Sequence, residues 1–484
     1  MLTFAPPKKD DDMKKTGDEY FDSEEFRDML AEYEEAVNTG QPVFLDADEL
    51  AEIADFYQMS GQMDEAEAAI TLAEGLSPGA IAPLAYRIHE ALYDGDTQRA
   101  WELLDQIIET SEPDYVYCRA EILLSEERVE EADAYLRDEF GKVPPEEYQD
   151  FVVDVANIYA DYDYPEKAME WMARGKQEDT PEFKELLGRT LFGLGKYKDS
   201  GRIFNELIDT NPFSKYYWNA LASAQYMDED YNNSIQSSEY AIAIDPKDPD
   251  GLLSKANGLN RLENFEEALK YYKRYTEEVP DDELGILYQG TCLINLGRNE
   301  EAIDTLKHAI DVADGREDYL FEIYQELAFA YSETGDVDIA LDCLDKAEAT
   351  YNDPVQIGLV KGHVLLSAGR LDEAEEHFQQ AVADSEEPLL TILRVIVSFY
   401  DNRYLDAAYS LFQNYFRVVP DDHKDGYAYM ALCCYELGRQ AEFLDYLKKA
   451  CRVNPRECRL VLSQLFPSDI EPQDYYGYIS EKMK

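Results

Sequence analysis

The stretch YYWNALASAQYMDEDYNNSIQSSEYAIAIDP, residues 216–246, decides the fold because it contains two helical patterns in succession. Trp218, Leu221 and Ala222 recur at the spacing that places side chains on one face of a helix. The acidic segment MDEDY interrupts this pattern, and a second run with the same period follows it. Pro246 ends the second run, because proline lacks an amide donor and restricts the residue before it. The stretch therefore predicts a hairpin of two amphipathic helices.

The same design returns along the chain at a shift of 34 residues, the separation between Trp218 and Leu252. Small residues occupy position 8 of this period in ten of twelve copies and position 20 in eleven of twelve, far more often than ordinary composition gives. Small side chains let two helices approach closely, while large neighbours fill the grooves between them. The twelve copies begin near Ala47, Ile81, Pro113, Gln149, Pro181, Lys215, Pro249, Glu283, Phe321, Val355, Leu389 and Lys424.

A helical hairpin with this period and these small positions resembles the tetratricopeptide repeat. The resemblance covers residues 47–457 and implies an all-α fold, a right-handed α-solenoid of stacked antiparallel helix pairs. Asp22 or Ser23 is expected to cap the first helix. The expected parts outside the repeats are a flexible acidic tail at 1–20, an N-terminal capping helix at 21–46 and C-terminal capping helices at 458–484.

The repeat frame is irregular in two places. In the third and fourth copies, residues 113–180, Arg119 stands at position 7 and Pro165 at position 17. Extra residues lie within ADGREDYL, residues 313–320. Insertions and irregular steps change the rotation between neighbouring repeats, so we expect local kinks there.

The acidity of the chain excludes several classes of partner. It has 44 Lys and Arg against 103 Asp and Glu, a formal net charge of −59. This charge repels phosphate backbones and anionic lipid surfaces, so we expect no binding to nucleic acid or membranes. The start MLTFAPPKKDDDMKK shows no secretory signal. Seven cysteines without framework spacing are typical of reduced thiols, so we expect a cytoplasmic protein, and a signal-free repeat chain suggests a bacterial source.

The sequence contains no motif that indicates catalysis or a cofactor. The segment GLGKYKDS, residues 193–200, resembles a phosphate loop, but Tyr197 stands where Ser or Thr is required and Thr190 where the leading glycine belongs. We interpret it as the turn between two helices of a repeat. His377 follows Glu373 by four residues, but no second His shares that helix face, so no metal site is expected. We therefore predict a non-catalytic protein without a cofactor or metal.

The resemblance also implies a binding groove, because the first helices of tetratricopeptide pairs line a concave surface through positions 2, 5, 9, 12 and 13. In the C-terminal half these positions are largely apolar. They do not match the Lys, Asn and Arg set that holds the terminal carboxylate of a peptide, since position 5 repeatedly carries leucine. The residues predicted to line a partner-binding groove are Leu253, Asn257, Leu287, Ile294, Leu359, His363, Leu366, Leu393, Val397, Tyr400, Leu432 and Tyr435.

An apolar groove in an acidic surround is complementary to a basic, amphipathic helix or to an extended basic segment. Residues 1–160 alone carry 11 Lys and Arg against 41 Asp and Glu, a net charge of −30. We therefore predict a protein–protein interaction scaffold or adaptor that binds a peptide or partner helix. Another interpretation is that the apolar stripe packs against neighbouring repeats. Two further functions stay open: a homo-oligomeric structural subunit of a larger assembly, such as a homodimer, and a ligand-binding regulatory subunit of an enzyme.

Overall fold

The computed structural model describes residue 21 and residues 23–176, 179–313, 319–350, 353–420, 422–467 and 470–482. Within these residues every regular element is helical and no strand occurs. The contacts divide the chain into two units, Met1–Pro246 and Lys247–Lys484. The tail expected at 1–20 and five residues of the irregular segment expected within 313–320 lie outside the described residues.

The described part of the first unit consists of one N-terminal helix and six helix pairs. Its helices are α1 (Glu24–Thr39), α2 (Ala47–Met59), α3 (Met63–Leu76), α4 (Ile81–Tyr93), α5 (Thr97–Leu104), α6 (Pro113–Ser125), α7 (Val129–Phe140), α8 (Tyr148–Asp161), α9 (Pro165–Met172), α10 (Pro181–Gly193), α11 (Tyr197–Thr210), α12 (Lys215–Met227) and α13 (Tyr231–Ile244).

The described part of the second unit contains six more pairs, two end helices and 3-10 turns at Ser463–Leu465 and Pro472–Asp474. The first helix of a pair also contacts the first helix of the next pair, as α18 does with α20. The structure thus confirms an all-α fold of stacked helix pairs. The helices are α14 (Pro249–Arg261), α15 (Phe265–Glu278), α16 (Glu283–Asn295), α17 (Asn299–Ala313), α18 (Leu320–Thr334), α19 (Val337–Thr350), α20 (Pro354–Ser367), α21 (Leu371–Asp384), α22 (Pro388–Asp401), α23 (Leu405–Val418), α24 (Tyr427–Glu436), α25 (Gln440–Val453), α26 (Pro455–Leu462) and α27 (Tyr475–Lys482).

Small residues stand where the two helices of a pair meet. Ala222 at position 8 and Ala340 at position 20 are fully buried. At position 8 of another copy, a Cβ added to Gly290 would lie 2.5 Å from Cδ2 of Leu306, closer than carbon atoms can approach. The sequence rule therefore reflects contact between backbones and large side chains across each pair.

A left-handed residue reverses the chain between the helices of many pairs. Gly297 holds this conformation at φ 69°, and Gly195 does so within 193–200, which confirms the turn predicted there. Glu127 and Arg403 adopt the same conformation at φ 59° and 64°. L side chains are strained in this region, so these two positions carry a conformational cost that glycine avoids.

The irregular proline at 165 does not interrupt a helix. Pro165 is the first residue of α9, where its missing amide donor has no helical partner to lose. Ser23 caps α1, and its Oγ accepts a hydrogen bond from the Phe26 amide at 3.1 Å, as the sequence predicts. At the other end Asn454 caps α26 by accepting a hydrogen bond from the Glu457 amide at 3.1 Å.

All seven cysteines are buried and free of disulfides. Their burial agrees with the expectation from the sequence. Among the helices of the described residues, none combines the length and the apolar character that a membrane crossing requires.

Candidate functional site

The residues predicted to line the partner groove occupy different environments. Tyr435 is exposed, with half of its surface accessible. Leu253, Asn257, Ile294, His363, Val397 and Leu432 are half-buried. The buried ones are Leu287, Leu359, Leu366, Leu393 and Tyr400. For a residue such as Leu366, which packs in a core cluster with Phe378, contact with its own repeats already accounts for the apolar side chain.

Four of the predicted residues meet at one groove within the second unit. Leu359 and His363 of α20 and Leu393 and Val397 of α22 line a cavity of about 510 Å³. The first helices of successive pairs contribute its walls, and Leu460 of the end helix α26 also lines it. We call this cavity the C-terminal groove. These four residues are the part of the predicted stripe that lines an open cavity.

A row of polar side chains crosses the C-terminal groove from helix to helix. Gln356 of α20 donates a hydrogen bond from Nε2 to Oε1 of Gln325 on α18, at 3.1 Å. Arg394 of α22 donates a hydrogen bond to Oε1 of Gln356. Burial lowers the pKa of Arg394, but a guanidinium stays charged at neutral pH. These groups supply donors and acceptors beside an apolar lining, as peptide-binding surfaces require.

His363 is a neutral group within the C-terminal groove. Its Nδ1 lies 3.3 Å from Nδ2 of Asn402, and its ring meets the edge of Phe329 at a centroid distance of 5.9 Å. Burial lowers the pKa of His363 because the imidazolium form loses hydration there. At pH 7 the imidazole therefore adds an uncharged surface to the groove.

Glu457 fixes the end wall of the C-terminal groove. Its two carboxylate oxygens accept hydrogen bonds from the Gly426 amide at 2.6 Å and the Ala428 amide at 2.9 Å. Gly426 has φ 86°, so α24 begins at Tyr427, three residues after the start expected at Lys424. Burial raises the pKa of Glu457, while the two amide donors oppose that shift. The carboxylate thus joins α26 to the start of α24.

A second cluster, which the sequence analysis missed, lies in the first unit. His89 on α4 places Nε2 2.9 Å from Oε2 of Glu121 on α6. Cys118 lies one helical turn before Glu121, and one ligand atom from each of the three side chains falls within 4.8 Å of the others. Cys118 and Glu121 are buried, whereas His89 keeps about a third of its side chain exposed, at 35%. We call this the His–Cys–Glu cluster.

The cluster has an unusual charge state. Although burial opposes the protonated ring, the nearby Glu121 and Cys118 raise the pKa of His89 well above its ordinary value. Burial raises the pKa of the Cys118 thiol, and His89 partly offsets this. A metal motif on one helix shows itself in the spacing of its ligands along the sequence, whereas these residues come from two helices. His89 and Glu121 both occupy position 9 of adjacent repeats, which is the signal that would have revealed the pair.

The fold and the groove define a class of repeat protein built from helical hairpins. A family model described as tetratricopeptide repeat matches residues 185–249, 253–316 and 326–388. These three matches lie between residues 185 and 388, and they confirm the resemblance to tetratricopeptide repeats that the sequence analysis expected. Proteins of this kind are generally interaction scaffolds without catalytic activity.

Individual relatives are distant. The protein FlbA of Caulobacter vibrioides is 22% identical over an alignment that covers 40% of this chain and 38% of FlbA. The chain therefore spans less than two fifths of that relative. A tetratricopeptide repeat protein from Parabacteroides merdae shares 13% identity at a TM-score of 0.43, over 50% of this chain and 94% of that structure. YrrB, described as a TPR protein with an unusual peptide-binding site, shares 15% identity at a TM-score of 0.33, over 39% and 95%.

Proposed function

We propose that this protein is a non-catalytic adaptor whose C-terminal groove binds a basic, amphipathic helix of a partner protein. The observation that carries the proposal is the groove itself, where the apolar Leu393 and Val397 lie beside the donors of Gln356 and Arg394. Apolar anchors of the partner would fill the lining, and the polar row would orient it.

The charge of the chain supports this choice of occupant. The formal net charge is −59, so a partner whose solvent face carries Lys and Arg gains attraction at every distance within screening range. Two exposed leucines at the groove, Leu390 and Leu460, offer apolar contact at its rim. An amphipathic basic helix satisfies both features, since one face is apolar and the other is cationic.

The test uses a pair of substitutions that leave the core intact. Leu390 and Leu460 are 48% and 76% exposed, so Leu390→Glu with Leu460→Glu should fold normally. The matched control is Leu371→Glu, at a leucine that is 45% exposed and does not line the groove. Fluorescence anisotropy would measure binding of a labelled Leu/Lys peptide with an i, i+3, i+4, i+7 apolar stripe, beside a scrambled peptide of the same composition.

We expect the striped peptide to bind the parent protein and the Leu371→Glu variant, and to lose about tenfold or more in affinity for the double variant. Equal binding of the scrambled peptide would show charge attraction alone and would overturn the proposal. Light scattering tests the alternative occupant. A parent dimer that the double variant converts to a monomer would assign the groove to self-association instead. The cytoplasmic location, the bacterial source and the absence of nucleic-acid binding stay predictions.

A further inference from the structure

We propose that His89, Cys118 and Glu121 form a binding site for a divalent transition-metal ion of the Zn²⁺ class. The cluster presents an imidazole nitrogen, a thiol sulfur and a carboxylate oxygen within 4.8 Å of one another. Among the described residues, no other group of three His, Cys or acidic side chains brings its ligand atoms together in this way. This inference departs from the sequence-based expectation of a metal-free protein and does not depend on the groove.

The donor set selects the class of ion. Zn²⁺ binds imidazole, thiolate and carboxylate ligands, often three from the protein with water in the fourth position. With bond lengths of about 2.0–2.3 Å, tetrahedral ligands lie roughly 3.5 Å apart. His89 Nε2 and Glu121 Oε2 lie 2.9 Å apart, and all three ligand atoms lie within 4.8 Å of one another, distances that are compatible with that spacing. Mg²⁺ and Ca²⁺ prefer oxygen ligands alone, so they fit this set poorly.

The surrounding structure holds the ligands in place. Ile88 beside His89 and Ile122 beside Glu121 are both fully buried in the core of the first unit, so α4 and α6 are fixed against each other. Only His89 reaches solvent, which makes its side the route by which an ion enters. The acidic charge of residues 1–160 raises the local concentration of cations.

A structural ion pair explains only part of the cluster. The contact of His89 with Glu121 accounts for the burial of that carboxylate. The Cys118 thiol takes no part in that ion pair, yet its sulfur lies beside the pair within an otherwise apolar cluster. Binding an ion would release the proton shared by His89 and Glu121 together with the proton of the Cys118 thiol, and the metal would take their place.

Metal analysis of the full chain tests the site directly. The protein is stripped with a chelator, titrated with Zn²⁺ in millimolar Mg²⁺ that occupies weak surface carboxylates, desalted and measured for bound zinc. We expect one tightly held equivalent per chain. Co²⁺ in place of Zn²⁺ should produce visible d–d absorption and a thiolate-to-cobalt band in the near ultraviolet, because a sulfur ligand is present.

Substitutions decide whether this cluster is the site. Cys118→Ser should abolish the thiolate band, and Glu121→Gln should weaken Zn²⁺ binding about 100-fold or more, since even supporting residues of metal sites cost 10–100-fold. Cys292→Ser removes another buried thiol and should change neither measurement. Circular dichroism confirms folding, and Glu121→Gln serves as the test if Cys118→Ser does not fold. Zinc that survives both cluster variants, or a parent protein that retains none, would overturn the proposal.

Discussion

Two histidines occupy the same position of the repeat in different regions of the molecule, and their chemistry is opposite. His89 and His363 both stand at position 9 of their frames. Position 9 of the repeat that follows His89 is Glu121, which lies within hydrogen-bond distance of His89. Position 9 of the repeat that follows His363 is Val397. The pKa of His89 is raised well above its ordinary value, and the pKa of His363 is lowered by burial.

The difference shows how a repeat protein acquires distinct sites on one scaffold. The 34-residue period places each side chain on the same face of each first helix. The neighbouring repeats then decide whether that side chain meets a carboxylate, as His89 does, or uncharged groups such as Asn402 and Phe329, as His363 does. The repeat scaffold fixes where a side chain lies, and the residues of the neighbouring repeats determine its charge state. A substitution in a neighbouring repeat can therefore change the charge state without changing the scaffold.

The largest loss of stability should come from substitutions at the close contact between the helices of a pair, and it should be similar in both regions. Ala100 and Ala374 stand at position 20 and are fully buried. Ala100→Leu and Ala374→Leu each insert volume into a close helix contact and should destabilise the protein by about 1–3 kcal/mol in urea unfolding. Leu371→Gln, at an exposed leucine, should change stability by no more than about 0.5 kcal/mol. A cost in one region only would mean that the two scaffolds are not equivalent.

Removing the carboxylate of Glu121 should leave His89 without a charged partner, as His363 is among the described residues of the C-terminal groove. Because Glu121 raises the pKa of His89, their interaction stabilises the folded state fully below the unfolded value of about 6.5 and is lost as pH rises through the higher folded value. Glu121→Leu should cost about 1–2 kcal/mol at pH 6, a value discounted because His89 is partly exposed. Urea unfolding in chelator, at several pH values, measures this. An unchanged pH dependence in the variant would contradict the assignment.

Adding a carboxylate near His363 should give that histidine the raised pKa that His89 has. Val397→Glu places a carboxylate in the groove with His363 and should raise the pKa of that histidine by about one unit or more. Val397→Gln has nearly the same size without the charge and should leave the pKa below its ordinary value. Nuclear magnetic resonance, which follows the His363 ring protons as pH changes, measures the pKa of this histidine in both variants. If neither variant moves the pKa, the neighbour does not set the chemistry of this position.

The smallest effect concerns the left-handed turns that follow α6 and α22. Glu127→Gly relieves strain at φ 59° and should stabilise the protein by roughly 0.5 kcal/mol. Arg403→Gly relieves the same strain but removes an exposed ion pair with Glu436, at 2.7 Å, so its gain should be smaller. Thermal unfolding compares the two variants. A loss of stability with Glu127→Gly would show that the turn is not strained.

The sequence predicts the helix pairs well because every copy of the repeat shows the same helical periodicity. Ala47, Ile81, Pro249 and Glu283 begin helices at the first residues of their predicted frames. The turn at 193–200 follows from the same alignment. These features depend on local helical periodicity and on small residues within one pair, both of which a single chain displays directly.

The candidate sites depend on contacts between pairs, which the sequence shows less clearly. Apolar residues at groove positions predict part of the C-terminal groove, but the environment of Tyr400 also depends on Glu436 of the next pair, to which its hydroxyl donates a hydrogen bond. The His–Cys–Glu cluster requires the register between α4 and α6. The late start of α24 depends on Glu457, a residue 31 positions from Gly426.

The contact of Glu457 with residues about 30 positions earlier also has a consequence for folding during translation. A ribosome adds residues from the N-terminus, so the amides of Gly426 and Ala428 emerge before the carboxylate that accepts their hydrogen bonds. Translation at about 5–20 residues per second separates the two by a few seconds. During that interval the nascent chain lacks the partner that fixes the start of α24. The wall of the C-terminal groove is therefore completed only once residue 457 has emerged, when the preceding pairs can already have folded.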